Sequence, residues 1–123
     1  MDGLTMSAAV RRAAELHPYR TAIVYDGRRW TYREYDERVN RAANLLLGLD
    51  VGFGEHVAIL GRNSIEYLEL CHASGRIGAV FGTINWRLAP KEISFIVTDG
   101  DAKVLFVEAM FQDAVAAVLD ELA

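Results

Sequence analysis

The sequence predicts an α/β fold in which βαβ units build a mostly parallel sheet after an N-terminal β-hairpin. Three observations carry this prediction. Short apolar runs that suit strands alternate with segments of about 10 to 18 residues whose apolar positions recur at helical spacing. Asp26-Gly27 separates the first two runs, which is typical of a tight antiparallel turn. The 123 residues are 52% hydrophobic and 24% charged, as in a globular chain of about one domain.

The first elements are predicted to be a helix and a hairpin. Helical spacing of apolar residues predicts a helix over residues 5–16, and Pro18 ends it. The two strands of the hairpin are expected at residues 21–25 and 28–31. The apolar face of this first helix comprises Met6, Val10, Ala13 or Ala14, and Leu16.

A capping box predicts where the second helix begins. The Thr31 hydroxyl can accept a hydrogen bond from the Glu34 amide, while the Glu34 carboxylate accepts one from the Thr31 amide. Gly48 and then Gly52 are expected to end the helix. Its apolar face comprises Tyr35, Val39, Ala42 or Ala43, and Leu46.

The rest of the chain predicts three strands that alternate with helices. Asn63-Ser64 offers an N-cap for the helix after the first of these strands, and Pro90 suits the first turn of the next helix. Small residues in the former helix, such as Gly75 and Gly78, permit close packing on the sheet. Asp99-Gly100-Asp101 is expected to be a turn. The strands are expected at 56–60, 79–84 and 103–107, and the last two helices at 90–98 and 109–122.

Charge and hydropathy exclude several classes of function. A net charge of -4, from 13 basic and 17 acidic residues, lacks the basic footprint of a nucleic-acid binder. Arg11-Arg12 and Arg28-Arg29 are too short to form a patch, and we expect them to be solvated. No apolar run approaches the roughly 18 residues of a membrane span. Residues 1–3 do not resemble a signal peptide, and the single Cys71 fits a reducing compartment, so the cytoplasm is the expected location.

No short motif identifies a catalytic or metal site by itself. Gly52-Phe53-Gly54 resembles the start of a dinucleotide fingerprint, but a strand follows it where the fingerprint needs a helix. We therefore interpret it as a turn. Residues 60–63 lack the acidic or glycine-rich loop of a flavodoxin-like nucleotide module. We predict no catalytic residue and no metal ligand in this chain.

The titratable residues also have structural interpretations. His17, His56 and His72 have no neighbours at metal-ligand spacing, and we expect structural roles for them. Cys71 and His72 are adjacent on a predicted helix and therefore point about 100° apart. The acidic pairs Asp36-Glu37 and Asp120-Glu121 are expected on solvated helix faces.

A series of short motifs nevertheless occurs in one order. WTYRE at residues 30–34 and VNRAANL at 39–45 resemble the T-Y-x-E-L and V-N-R-x-A-x-x-L helix patterns of one enzyme family. GEHVAIL at 54–60, NSIE at 63–66 and NWRL at 85–88 resemble the G-D-x-V-A-I-L, P-N-S-x-E and N-x-R-L patterns of the same family. The chain thereby resembles the N-terminal part of the adenylate-forming ligases, the AMP-forming acyl-CoA synthetases that include the fatty-acid–CoA ligases.

The resemblance implies both a fold and a reaction. It implies that residues 1–123 form part of the larger N-terminal domain of the adenylate-forming ligase fold. Such enzymes use ATP and Mg²⁺ to convert a carboxylic acid, here expected to be fatty or aromatic, to an acyl-adenylate and then transfer it to coenzyme A. Three positions depart from the family pattern: Arg62 replaces a common proline, Tyr35 a leucine, and Gly82-Thr83 a Val-Pro pair.

The family's phosphate loop, acyl pocket and C-terminal domain have no counterpart in this sequence. The chain also stops at a predicted helix without a capping glycine, which suggests a cut. We therefore expect the 123 residues alone to be inactive and to bind none of these ligands tightly. Apolar surface left uncovered favours a homo-oligomer. The alternative is a free-standing truncated homologue that acts as a non-catalytic interaction or oligomerisation module.

One residue is a candidate for binding a cofactor. In relatives, the arginine of the N-x-R-L motif can lie at the mouth of the thiol tunnel and contact a phosphate of coenzyme A. The resemblance carries this role to Arg87. A guanidinium fork matches a phosphate geometrically, whereas the structural interpretation is an exposed arginine in a strand-to-helix loop.

Overall fold

A parallel sheet and a separate hairpin organise residues 6–117, which are described by a computed structural model. The predicted α/β class is confirmed, with a helix before the hairpin and βαβ units after it. The strands are β1 (Thr21–Tyr25), β2 (Arg28–Thr31), β3 (His56–Leu60), β4 (Val80–Ile84) and β5 (Ala102–Val107). The helices are α1 (Met6–Leu16), α2 (Tyr32–Gly48), α3 (Ile65–Ile77), α4 (Pro90–Asp99) and α5 (Gln112–Ala116).

The hairpin turns where the sequence predicts. Asp26 and Gly27 both have positive φ, 52° and 73°, as a two-residue turn between right-twisted strands requires. β1 and β2 are antiparallel, with Tyr25 opposite Arg28. Trp30 of β2 is buried and anchors the hairpin in the core beside α2.

The start of α2 is the predicted capping box. The Glu34 amide donates to Thr31 Oγ1 at 3.1 Å, and the Thr31 amide donates to Glu34 Oε1 at 2.9 Å. The bond from the Thr31 amide contributes most to lowering the pKa of the Glu34 carboxyl, and the Thr31 hydroxyl also lowers it. The box satisfies two amides at the end of the helix that have no partner within it.

The α2 helix ends at Gly48, as predicted, but glycine does not provide the left-handed cap. The left-handed residue after the helix is Asp50, with φ 65°, rather than Gly48 or Gly52. The amides of Asp50 and Val51 donate to the carbonyls of Leu47 and Leu46, both at 3.0 Å, which is the Schellman pattern. Asp tolerates the left-handed region better than most residues, and burial of Val51 holds the turn in place.

Two other helix termini refine the sequence expectations. Ser64, not Asn63, caps α3 by accepting from the Tyr67 amide at 3.1 Å. Gly78 has φ 77° and ends α3 in the left-handed conformation. The helix predicted over 109–122 begins as a 3₁₀ turn at Ala109–Phe111 before α5, and its residues 118–122 lie outside the described part of the chain.

The parallel sheet has the strand order β4–β3–β5. After β3 the chain forms β4 along one edge of β3. It then crosses over and forms β5 along the opposite edge of β3. β3 is therefore the central strand, and its side chains alternate between two apolar cores. Val57 and Ile59 pack into the core with α2 and α3, while Ala58 and Leu60 pack into the core with α4 and α5.

Polar contacts hold α2 against α3. Arg38 pairs with Glu69, with a shortest distance of 2.7 Å, and Arg76 reaches both Asp36 Oδ1 at 2.9 Å and Asn40 Oδ1 at 2.7 Å. The expectation that Asp36 lies on a solvated face is therefore wrong. Because α2 packs along α3, residue 36 lies at the edge of that contact.

The remaining charged positions agree with their interpretations wherever the structure describes them. Glu37 is exposed and pairs with Arg33 at 3.5 Å across one helical turn. The pairs Arg11-Arg12 and Arg28-Arg29 are exposed, as expected. Asp120-Glu121 lies outside the described residues.

Candidate functional site

A cleft lies at the carboxyl edge of the parallel sheet. β3, β4 and β5 point the same way, so the residues after Leu60, Ile84 and Val107 meet at one edge. The cleft there has a volume of about 710 Å³. Its lining includes Tyr25, Arg62, Ser64, Asn85, Trp86 and Glu108.

This edge includes a topological switch point. The connections from β3 and from β4 run to opposite sides of the central strand, which opens a crevice beyond the ends of β3 and β5. In open α/β sheets, ligands bind at such crevices. The cleft lies at the same edge of the sheet as this crevice, and Glu108 after β5 contributes to its lining.

An arginine–glutamate contact links β3 to β5 across this crevice. The Glu108 carboxylate accepts from the Arg62 amide at 2.7 Å, from Arg62 Nε at 3.0 Å and from Arg62 Nη2 at 2.7 Å. These bonds, above all those from the guanidinium, lower the pKa of the Glu108 carboxyl. A Cβ at Gly61 would lie 3.2 Å from Glu108 Cβ, so glycine permits this close approach. The family that the sequence resembles commonly has proline at position 62. Proline has no N–H and could not donate the backbone hydrogen bond to Glu108.

Arg87 lies in the loop between β4 and α4, beside the cleft. Its amide donates to Asn85 Oδ1 at 3.0 Å, which fixes the backbone of the loop. The carbon Cζ of its guanidinium lies 4.6 Å from the centroid of the Trp86 ring. Trp86 in turn stacks on Phe111, with centroids 5.6 Å apart and ring planes 30° apart. The structure thus places Arg87 at the end of an aromatic stack.

The electrostatic setting of Arg87 suits an anion. No carboxylate pairs with its guanidinium within residues 6–117, whereas Arg38, Arg62 and Arg76 each bind one. A guanidinium without a carboxylate can offer its N–H fork to a phosphate. The role of Arg87 in binding a phosphate stays a prediction.

Residues 6–117 contain neither a cluster of metal ligands nor a membrane-spanning helix. Within that range, no group of three or more His, Cys, Asp or Glu side chains could hold a metal ion. No helix there is long and apolar enough to cross a membrane. Of the described histidines, His72 is buried and hydrogen-bonded through Nδ1 to Tyr35 Oη at 2.7 Å, which is a structural contact.

Sequence reasoning missed the partners of the site residues. Trp86 and Phe111 are far apart in the chain, and no local pattern indicates that they stack. Arg62 and Glu108 likewise meet only because the crossover brings the ends of β3 and β5 together. Arg62 itself is the one sequence signal for this contact, because it is a charged residue at a position where proline is common in the family.

The chain is similar to a family of AMP-binding enzymes and to several CoA ligases. A family model described as "AMP-binding enzyme" matches residues 10–123. The 3-oxocholest-4-en-26-oate–CoA ligase of Rhodococcus rhodochrous is 36% identical over 94% of this chain and 21% of its own length. The feruloyl-CoA synthase of an Amycolatopsis species is 39% identical over 87% of this chain and 22% of its own length.

Solved structures agree with these relatives. A fatty acyl CoA synthetase of Mycobacterium tuberculosis superposes with a TM-score of 0.92 and is 32% identical. The match covers 97% of this chain and 24% of that structure. The chain therefore spans between a fifth and a quarter of the length of these proteins.

Proposed function

This chain belongs to the AMP-binding enzyme family of acid–CoA ligases, and we propose that it is the N-terminal part of an enzyme that joins a fatty or aromatic acid to coenzyme A. The observation that carries the proposal is the match over residues 10–123, together with relatives whose names are CoA ligases and synthetases. The activity is a property of the whole protein, of which these residues are one segment.

The proposed reaction proceeds in two steps. A carboxylate is a poor electrophile because its leaving group would be oxide. In the first step, a carboxylate oxygen attacks the α-phosphorus of ATP, the bond to the β-phosphate oxygen breaks, and pyrophosphate leaves. In the second step, the thiol sulfur of coenzyme A loses its proton and attacks the acyl carbon, and AMP leaves. Mg²⁺, when bound, offsets the phosphate charge during the first step.

Within this segment, we assign Arg87 to the second step. It would hold a phosphate of coenzyme A at the edge of the sheet and so orient the thiol arm, without taking part in bond breaking. The support is its position beside the cleft and the absence of a carboxylate partner in residues 6–117. We assign no residue of this segment to the chemistry of adenylation.

The test of the Arg87 assignment uses the full-length ligase. Arg87→Ala is expected to raise the KM for coenzyme A, whereas ATP–pyrophosphate exchange, which needs no coenzyme A, keeps its rate. Lys91→Ala is the matched control, since Lys91 is an exposed cation on the neighbouring helix α4. An unchanged KM for coenzyme A in Arg87→Ala contradicts the assignment.

A second experiment tests whether activity belongs to the whole enzyme. We expect the purified 123-residue chain to catalyse no acid-dependent ATP–pyrophosphate exchange. The full-length protein should catalyse it with fatty or aromatic acids, and we expect to find that protein in the cytoplasm. Exchange by the short chain alone would contradict the first expectation, and failure of the full-length protein with every such acid would contradict the proposed reaction.

A non-catalytic oligomerisation module is the second candidate, and one observation favours it. Large apolar side chains are exposed near the end of α2 and on α4: Leu45 is 51% exposed, Leu47 54%, and Phe95 70%. Exposed apolar side chains of this kind are available for contact with a second chain. Sedimentation of the 123-residue chain at tens of micromolar tests this candidate. A dimer or larger species is expected, and a clean monomer counts against it.

A further inference from the structure

We propose that Trp86 is a positioning residue that holds the Arg87 guanidinium in place for a phosphate of coenzyme A. The proposal rests on the proposed function, because it assumes the role of Arg87 in binding coenzyme A. It adds a residue that acts through Arg87 and that has no assigned role in the reaction. The stack of Phe111, Trp86 and Arg87 carries it.

The backbone around Arg87 is already restrained on both sides. The Arg87 amide donates to Asn85 Oδ1 at 3.0 Å, and the Leu88 amide donates to the Asn85 carbonyl at 3.2 Å. Leu88 packs against the core formed with α4 and α5, and Pro90 begins α4. The remaining freedom of Arg87 is therefore that of its long side chain.

Trp86 is placed to restrict that freedom. Its ring lies 5.6 Å from Phe111, and Phe111 packs against the same core, so the ring is supported from the interior. The Arg87 Cζ lies 4.6 Å from the centroid of this ring, within the range of a cation–π contact. Ordering a long side chain before a ligand arrives removes part of the entropy that binding would otherwise cost.

The kind of contact is also suited to the task. An ion pair with a carboxylate would hold the guanidinium equally well, but it would occupy N–H donors that a phosphate needs. A ring face attracts the cation through its quadrupole and leaves those donors available. Arg62 illustrates the other case, because Glu108 takes bonds from both its Nε and Nη2.

The test compares variants in the full-length ligase, with coenzyme A as the varied substrate. Trp86→Ala is expected to raise the KM for coenzyme A about two- to fivefold, the factor that an exposed cation–π contact supplies. Trp86→Phe retains an aromatic face and should restore most of the affinity. Trp86→Leu retains apolar packing against Phe111 without the face and should behave like the alanine variant. Phe95→Ala is the matched control, because it removes an exposed aromatic ring that lies on α4 and not in the stack.

A double variant decides whether Trp86 acts through Arg87. In an Arg87→Ala background, Trp86→Ala should raise the KM no further. A full additional increase would mean that Trp86 contacts coenzyme A itself and would overturn the proposal, as would an unchanged KM in both Trp86→Ala and Trp86→Leu. Absence of pyrophosphate exchange in the unaltered full-length protein would instead overturn the proposed function, so the two failures are distinguishable.

Discussion

Burial, more than sequence spacing, determines how the ionisable residues behave. His72 lies on α3 and faces α2, with its ring edge-on to Tyr35 and the ring centroids 5.6 Å apart. Burial, together with the nearby Arg76 guanidinium, lowers the pKa of His72. Burial also raises the pKa of Tyr35, so both side chains remain neutral around pH 7. The structural role of His72 could be predicted from the sequence, but its partner could not.

This burial predicts a pH dependence of stability. The folded-state pKa of His72 lies below the ordinary value of 6.5, so the unfolded chain binds the proton first as the pH falls. The contribution of His72 is therefore complete above that ordinary value and is lost below it. The free energy of unfolding should decrease as the pH falls below about 6.5, as measured by urea titration.

Two variants test the assignment of that slope. His72→Gln removes the titrating group and should flatten the decrease, whereas His17→Gln, at an exposed histidine, should leave it unchanged. Carboxyls with a lowered pKa, such as that of Glu108, contribute to the loss of stability only at still lower pH. An equal slope in His72→Gln and the unaltered protein would show that another group is responsible.

The secondary-structure elements show which signals are local. The capping box of α2 needs only residues 31–34, so the sequence contains all of its determinants. The same helix ends at Gly48 as predicted, but its left-handed residue is Asp50, because the Schellman turn forms where Val51 becomes buried. The sequence therefore predicts the bounds of α2 better than the residue that caps its end.

The capping box gives a prediction at the scale of the element. Thr31→Ala removes the acceptor of the Glu34 amide and should lower the free energy of unfolding by ~1 kcal/mol. Thr98→Ala is the matched control, because Thr98 is exposed within α4 and alanine is the better helix former. Urea unfolding curves measure both. Equal effects of the two substitutions would mean that the cap contributes nothing.

The contact between Arg62 and Glu108 gives a second prediction at this scale. It ties the loop after β3 to the residue after β5. Arg62→Pro removes both the donating amide and the guanidinium, so the Tm should fall. Arg29→Ala, at an exposed arginine of the hairpin, should leave the Tm nearly unchanged. A Tm for Arg62→Pro that matches the Arg29→Ala value would contradict a structural role for this contact.

Two cores on opposite faces of the sheet support the molecule as a whole, and neighbouring leucines on α2 test this division. Leu46 is fully buried, whereas Leu47 is 54% exposed. Leu46→Ala should lower the free energy of unfolding by about 2–5 kcal/mol, because it removes apolar contacts and leaves a cavity. Leu47→Ala should change it little. Similar losses at the two positions would mean that α2 packs with a different face.

At the scale of the whole molecule, the sequence predicts the fold class better than the order of the strands in the sheet. The alternation of apolar runs predicts the βαβ units, because each strand and helix buries a periodic face. The order β4–β3–β5 depends on a crossover between segments that are distant in the chain, and no local pattern encodes it. Contacts between distant segments also limit what the sequence predicts about the candidate site. Arg87 could be proposed from its motif, whereas the Trp86–Phe111 stack beside it required the fold.

The central position of β3 also has a consequence for how the protein is made. A ribosome releases the chain from its N-terminus, so α1, the hairpin and α2 emerge before β3. β4 then gives β3 one neighbour, but the other edge of β3 stays unpaired until residues 102–107 have emerged. An open strand edge can pair with another chain. The nascent protein is therefore open to misassembly at this edge of β3 during the interval in which α4 emerges.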